Sequence, residues 1–168
     1  MKSIFKLFVA AFLTVAPLTA TAQSNVAHIN VQQLISEMPE VIAAQNELAK
    51  LEKDYTTQID NAFKEFQTKA QSYSSDAANQ TDVTNQARQK ELDSMQTNLQ
   101  EFRDSAAQEL QKKQMDLMTP LLEKARNAIT KVGEEQGFNY VIDSSPNGGI
   151  ILANGKDLLA DVKKELGF

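Results

Sequence analysis

The sequence predicts a mostly α protein with a small β body. A long antiparallel helical hairpin, a coiled-coil arm, projects from a short-stranded sheet that oligomerisation completes. Three observations lead there. Two long segments each carry one narrow apolar stripe at helical spacing. The polar stretch SSDAANQTDVT, residues 74–84, separates them. Short strand-like apolar runs occur only near the two ends of the mature chain.

The first segment runs from Glu40 to Tyr73 without Gly or Pro. At 100° per residue, Val41, Ala44, Leu48, Leu51, Tyr55, Ile59, Ala62, Phe63, Phe66, Ala70 and Tyr73 share an arc of roughly 120°. In the second segment Leu92, Met95, Leu99, Phe102, Ala106, Leu110, Leu117 and Leu121 share roughly 100°. Spacings of 3, 4, 3 and 4 from Leu92 to Ala106 are those of a coiled-coil seam. Such a stripe buries a partner stripe but cannot build a globular core. Folding the chain at Asn79 sets Phe66 beside Leu92, Ile59 beside Leu99, Tyr55 beside Phe102 and Leu48 beside Leu110. One register aligns both stripes, so 74–84 is the tip of a hairpin reaching ~50 Å from its base.

The remaining elements fall at the base. VAHIN from Val26 reads as a strand, QQLISEM as a short helix, and Pro39 suits the first turn of the outgoing helix. Pro120 is expected to kink or restart the returning helix. Gly137 is placed to end that helix. FNYVID (138–143) and IILA (150–153) read as a second and a third strand joined by an SSPNGG turn. Asp157 is placed to cap a last helix carrying Leu158, Leu159, Val162 and Leu166. The division is therefore a signal peptide at 1–22, a β-containing oligomerisation body from 23–39 and 119–168, and an arm at 40–118. Three short strands leave open edges and little core in one subunit, which argues for an oligomer. Val26, Ile29, Tyr140, Ile142, Ile150 and Leu152 are the candidate oligomerisation positions.

The chain has 168 residues, a formal charge of −5 and no Cys. Residues 1–22 carry Lys2 and Lys6, an apolar run from Leu7, and Ala20-Thr21-Ala22, the order of a secretory signal. Cleavage before Gln23 would leave an exported, periplasmic product. An acidic balance argues against nucleic acid as a partner. His28 is the only His, so neither a His-based metal site nor a triad is available; it reads as a partly buried strand residue. Asn147-Gly148-Gly149 leads into a strand-like run with no Lys-Ser/Thr sequel, hence a turn and not a phosphate loop. Asn79-Gln80-Thr81 matches a glycosylation sequon by chance in a polar tip. Acid–base neighbours such as Glu47 with Lys50 and Glu109 with Lys113 read as solvated pairs within one helix. No catalytic residue, cofactor or metal ligand emerges, and an enzyme is not expected.

What remains is surface. Ile42 and Met115 lie off their stripes, while Phe63, Phe66, Tyr73 and Met95 gather near the tip half of the arm. Two readings stay open: these side chains fill the seam, or they spill from it as an adaptable apolar face.

With VAHINVQQLISEMPE opening the body and NYVIDSSPNGGIILANGKDLLADVKKELG closing it, the chain resembles the Skp (OmpH) family of periplasmic chaperones. The resemblance implies a homotrimer whose strands join in one body. Three tentacle-like arms would surround a cavity for unfolded outer-membrane β-barrel proteins, held without ATP. It implies Ile42, Phe63, Phe66, Tyr73, Met95 and Met115 as candidate client-binding positions. The alternative is an envelope coiled-coil adaptor or spacer that docks one folded partner.

One feature departs from the family. Between positions 60 and 95 stand Lys64, Lys69, Arg88 and Lys90 against Asp60, Glu65, Asp76, Asp82, Glu91 and Asp93. Strong direct membrane binding is therefore not expected, and apolar contact should carry client binding. Binding of an unfolded barrel protein, titrated by fluorescence, is expected to weaken little from low to high salt. A steep salt dependence would overturn that.

Overall fold

The computed structural model describes residues 25–146 and 148–168. The signal peptide expected at 1–22 and Asn147 of the Gly-rich turn lie outside them. The chain opens with β1 (Val26–Ile29) and a short helix α1 (Val31–Glu37). The Asn30 side chain caps α1 by accepting the Gln33 N–H at 2.9 Å. Two long helices follow, α2 (Pro39–Asp76) and α3 (Asp82–Glu135), joined by a 3-10 turn at Ala77–Asn79. Then come β2 (Tyr140–Asp143), β3 (Lys156–Asp157) and α4 (Leu159–Leu166).

The hairpin folds where the stripes predict, with the turn centred on Asn79. The Tyr55 and Phe102 rings meet edge to face at 6.0 Å, as the register requires. Pro39 occupies the first turn of α2. Thr81 caps α3 by accepting the Thr84 N–H at 3.2 Å.

Of the kink or restart expected at Pro120, the restart does not occur, since Asp82–Glu135 is one helix with Pro120 inside it. Proline removes one rung from the helical ladder. Met118 and Leu121 on either side pack onto the body, and Ala125 is buried one turn further on. Tertiary packing thus holds the helix through the gap. At its other end Gly137 adopts φ +74°, and the Phe138 N–H reaches back to the Gly133 carbonyl at 2.9 Å. This is the left-handed helix stop expected of that glycine.

All three strands are parallel, in the order β2-β1-β3. Val26 pairs with Tyr140 and Ile29 with Asp143, so the whole hairpin is the crossover between β1 and β2. The third strand is not at 150–153. That run is an exposed loop, and β3 forms instead at Lys156–Asp157 against Ala27–His28. The apolar run had a strand's composition but has no ladder partner in the chain. Gly155 makes the alternative pairing possible, because a Cβ there would stand 2.9 Å from the Val26 carbonyl oxygen. Nor is SSPNGG a hairpin turn, since β1 lies between β2 and β3 and the connection must cross it.

The core sits where these elements converge. Ala27 and Ile29 from β1 pack with Leu34, Met38 and Val41, with Ala125, Ala128 and Val132 of α3, and with Leu158 and Val162 at α4. Alanines at 125 and 128 let α3 approach the sheet closely. Gly133 does the same against β2, where an added Cβ would lie 2.8 Å from the Val141 side chain. The expected cap of α4 by Asp157 is displaced by one residue: Leu158 is the N-cap and makes no side-chain bond, while the Asp157 carboxylate, just ahead of it, accepts the Leu159 N–H at 2.9 Å.

Two substitutions test this arrangement by urea denaturation monitored by circular dichroism. Leu34→Ala, at a fully buried site, is expected to cost about 2–5 kcal/mol. Gly133→Ala is expected to cost about 1–3 kcal/mol by overpacking the α3–β2 contact. A loss within about 0.5 kcal/mol in both, as at an ordinary surface position, would refute the packing described.

Candidate functional site

The hairpin surface is built from a seam too thin to enclose its own side chains. On α2 only Val41 and Ala44 are buried, both at the base. On α3 Leu99 is the first buried residue met on the return from the tip. Between Gln45 and Asn98 the arm therefore holds no fully buried side chain. Two helices alone cannot surround a stripe of Leu, Ile and Phe, so each seam residue keeps an open flank.

Polar rungs cross the hairpin instead. Lys124 meets Glu40 at 2.5 Å and Lys113 meets Glu47 at 2.8 Å. The Tyr55 hydroxyl donates to Glu109. Toward the tip, Glu91 accepts from Lys69 and from the Tyr73 hydroxyl, the latter at 2.6 Å. The Arg88 guanidinium meets Asp76 at 3.0 Å and lies 4.7 Å from the centre of the Tyr73 ring. Asp76 also accepts the Gln80 amide at 2.7 Å and the Asn79 amide at 3.3 Å. Glu47 and Glu109 thus bond across the hairpin, and not to Lys50 and Lys113 within one helix. The antiparallel partner brings these groups closer than the next turn does.

These bonds set the charge states at the tip. Lys69, and then Tyr73, hold the Glu91 carboxyl below its ordinary value of 4.5. Arg88 does the same for Asp76 below 3.8, aided by Asn79 and Gln80. Glu91 in turn raises the Tyr73 hydroxyl and the Lys69 ammonium above their ordinary values.

The predicted arm positions divide into two groups. Ile42, Phe63 and Met115 are exposed, at 47, 39 and 54%. Phe66, Tyr73 and Met95 are half-buried in the seam. Phe63 and Phe66 stack with ring centres 6.5 Å apart, whereas Ile42 and Met115 lie near the base, far along the chain from that pair. Sequence reasoning missed Asp76, Arg88, Lys69 and Glu91 as a connected group. Their signal was available, because opposite charges fall close to the same hairpin register.

Of the predicted body positions, Ile29 is in the chain's own core and presents no surface. Val26, Tyr140, Ile142, Ile150 and Leu152 are exposed, and Ile151 beside them is fully so. A groove of about 680 Å³ lies next to β2, with Ile35, Leu122, Ile129, Phe138 and Tyr140 in its lining. His28 is half-buried, and its Nδ1 lies 3.1 Å from the Ser144 hydroxyl. Burial pushes the Asp143 carboxyl up, but hydrogen bonds from Ser145 and the Val31 N–H outweigh it and hold it low. That group staples β2 to the start of α1.

A small parallel sheet carrying one long helical hairpin with an open seam defines an arm-and-body protein. The sequence profile of the OmpH-like outer membrane protein family matches residues 25–166, and the chain belongs to that family, the Skp/OmpH chaperones. It is 24% identical over 159 residues to the chaperone protein Skp of Yersinia enterocolitica, covering 92% of this chain and 93% of that one. It is 20% identical over 151 residues to Skp of Pectobacterium atrosepticum, covering 90% of each. The fold is similar to the crystal structure of a candidate OmpH-like outer membrane chaperone from Caulobacter crescentus CB15. The TM-score is 0.77 at 12% identity, over 86% of this chain and 85% of that one.

The tip rungs predict an acid-labile end to the hairpin. Glu91 and Asp76 have depressed values, so their contribution is complete above the ordinary carboxylate range and is lost as pH falls through the depressed values. The chain has no Cys, so spin labels at Gln71→Cys and Gln86→Cys report the tip alone. Their distance distribution is expected to be narrow at neutral pH and to broaden below about pH 4, before the body unfolds. An Asp76→Asn/Glu91→Gln variant is expected to be broad at both. An unchanged distribution in acid would remove the rungs from any role in closing the tip.

Proposed function

We propose that this protein is an ATP-independent periplasmic holdase. It binds unfolded outer-membrane β-barrel proteins between helical arms and prevents their aggregation before membrane assembly. One observation carries the reading: a hairpin whose aromatic and aliphatic side chains stay half open along its length. Unfolded barrel strands expose apolar faces and unpaired edges that otherwise pair with one another. An arm that offers many shallow apolar contacts holds such a chain without imposing a fold. Family membership supports the chaperone class. Lys69, Arg88 and Lys113 are paired within the arm, which supports binding that owes little to charge.

Assembly belongs to the same proposal. The division into signal, body and arm stands as the working frame, with the body formed by a homotrimer. The open edge of β2, the exposed Ile150–Leu152 loop and the groove beside Tyr140 are the apolar surfaces a neighbouring subunit would cover.

The deciding experiment dilutes a urea-unfolded barrel protein into buffer with the 23–168 chain or with a variant lacking roughly 50–108. Light scattering reads the aggregation. The full chain is expected to suppress it and the armless one is not. If neither does, the holdase reading falls and the tip becomes the place to look for one folded partner.

A further inference from the structure

On the tip half of the hairpin, α2 and α3 leave a cleft of about 580 Å³, lined on its apolar side by Phe63, Phe66 and Leu99. The two rings are close to parallel, at 22°, and Phe63 is more than a third exposed. A half-open ring pair has a free edge and face for another aromatic side chain, the geometry in which rings attract beyond simple burial.

The polar wall comes from α3, and most of it is already occupied. The Thr97 hydroxyl donates to the Asp93 carbonyl, the Asp93 carboxylate accepts the Gln89 amide, and the Gln100 amide donates to Asp104. Two donors are different. The Gln96 amide and the Arg103 guanidinium line the cleft, and neither has a hydrogen-bond or ion-pair partner among the described residues. They stand seven residues apart on one helix face, a separation of about 10.5 Å. An extended chain covers that span in about three residues. Gln96 and Arg103 can therefore each donate to a backbone carbonyl of a short extended segment lying along α3, with one of its side chains entering the ring pair.

Charge narrows the occupant further. Asp93 and Arg103 are the only charged residues in the lining, so its formal charge is zero. One carboxylate and one guanidinium give a charged segment no net attraction, so an uncharged segment, which has least to lose on leaving water, suits the lining best. The other groove on the arm, nearer the base, is unlike this one: Glu47, Lys50, Asp54, Lys112, Lys113 and Asp116 dominate its lining.

We propose that the cleft between Phe63, Phe66 and Arg103 is a subsite for an uncharged, extended segment of unfolded chain centred on an aromatic side chain. It rests on the holdase reading and deepens it, giving the arm a local preference within otherwise general apolar contact.

The test uses the full mature chain and fluorescein-labelled twelve-residue peptides of Ser, Thr and Gly with a central Phe, a central Ala, or a central Phe between two Asp. Anisotropy gives affinity, and the barrel aggregation assay runs in parallel. Circular dichroism and sedimentation check folding and self-association of Phe63→Ala, Gln96→Ala and Arg103→Ala, with Gln114→Ala, exposed and nearer the base, as a distant surface control.

The Phe peptide is expected to bind at least about tenfold more tightly than the Ala or Asp-flanked peptide. Phe63→Ala, Gln96→Ala and Arg103→Ala are each expected to lose most of that preference while remaining folded. Equal binding of all three peptides, or no binding, with aggregation still suppressed, overturns the subsite and leaves the holdase intact. Phe preference that maps to the cleft without suppression of aggregation upholds the subsite and overturns the holdase. A Phe63→Ala variant that alters self-association and leaves peptide binding unchanged assigns the cleft to a second copy, which overturns the proposal.

Discussion

Everything in this molecule depends on the parallel pairing of β1 with β2. The two strands lie on either side of the entire hairpin, and pairing Val26 with Tyr140 brings the bases of α2 and α3 together. There the chain encloses its main cluster of side chains, with Ile29, Leu34, Val41, Val132 and Val162 buried together. Parallel strands need a long crossover, and here the crossover is the whole hairpin. A small body therefore anchors an arm that could not fix its own base.

Beyond the base the arm follows different physics. Its stripe is apolar enough to choose a partner helix and a register, yet too narrow to be covered by one. Closure then falls to polar rungs such as Lys113–Glu47 and Arg88–Asp76, each partly exposed. Exposed pairs of this kind contribute little to stability individually. Register is set instead by the two apolar stripes, since Lys113 would meet another acid, Glu40 or Asp54, if the helices slipped by seven residues. The same thinness that limits stability leaves Phe63 and its neighbours accessible. Support and function draw on one shortage of cover.

Much of this was legible in the sequence. Helical period, the absence of Gly and Pro from 40 to 73, and a polar interruption located the turn and paired Tyr55 with Phe102. Those signals are local and repeat many times, so errors average out. The third strand was misplaced for the opposite reason. Ile150-Ile151-Leu152 has strand composition, but a strand exists only where a ladder partner stands, and the partner's free edge reached Lys156–Asp157. The helix does not restart at Pro120 because propensity reports what one residue disfavours and not what Met118, Leu121 and Ala125 hold in place. At the candidate site the aromatic positions were readable from spacing. The rungs were readable only once the hairpin register was applied to the charged positions, and the unpaired donors at Gln96 and Arg103 were not, since they depend on which groups each helix face leaves without a partner.

The rungs also order the making of the molecule. Lys69–Glu91 spans 22 residues of chain, Tyr55–Glu109 spans 54, Lys124–Glu40 spans 84, and the contacts that join the two halves of the body span well over 100. Closing a loop costs entropy that grows with its length, and a rung already formed shortens the next loop to a few residues. The cheapest route nucleates at the tip and zips toward the base, with the sheet joined last. The least stable end of the finished hairpin is then the first part to form, an order that pulse-labelled hydrogen exchange reads directly. Synthesis supports the same order, because the tip and both flanking turns emerge well before β2 exists to be paired.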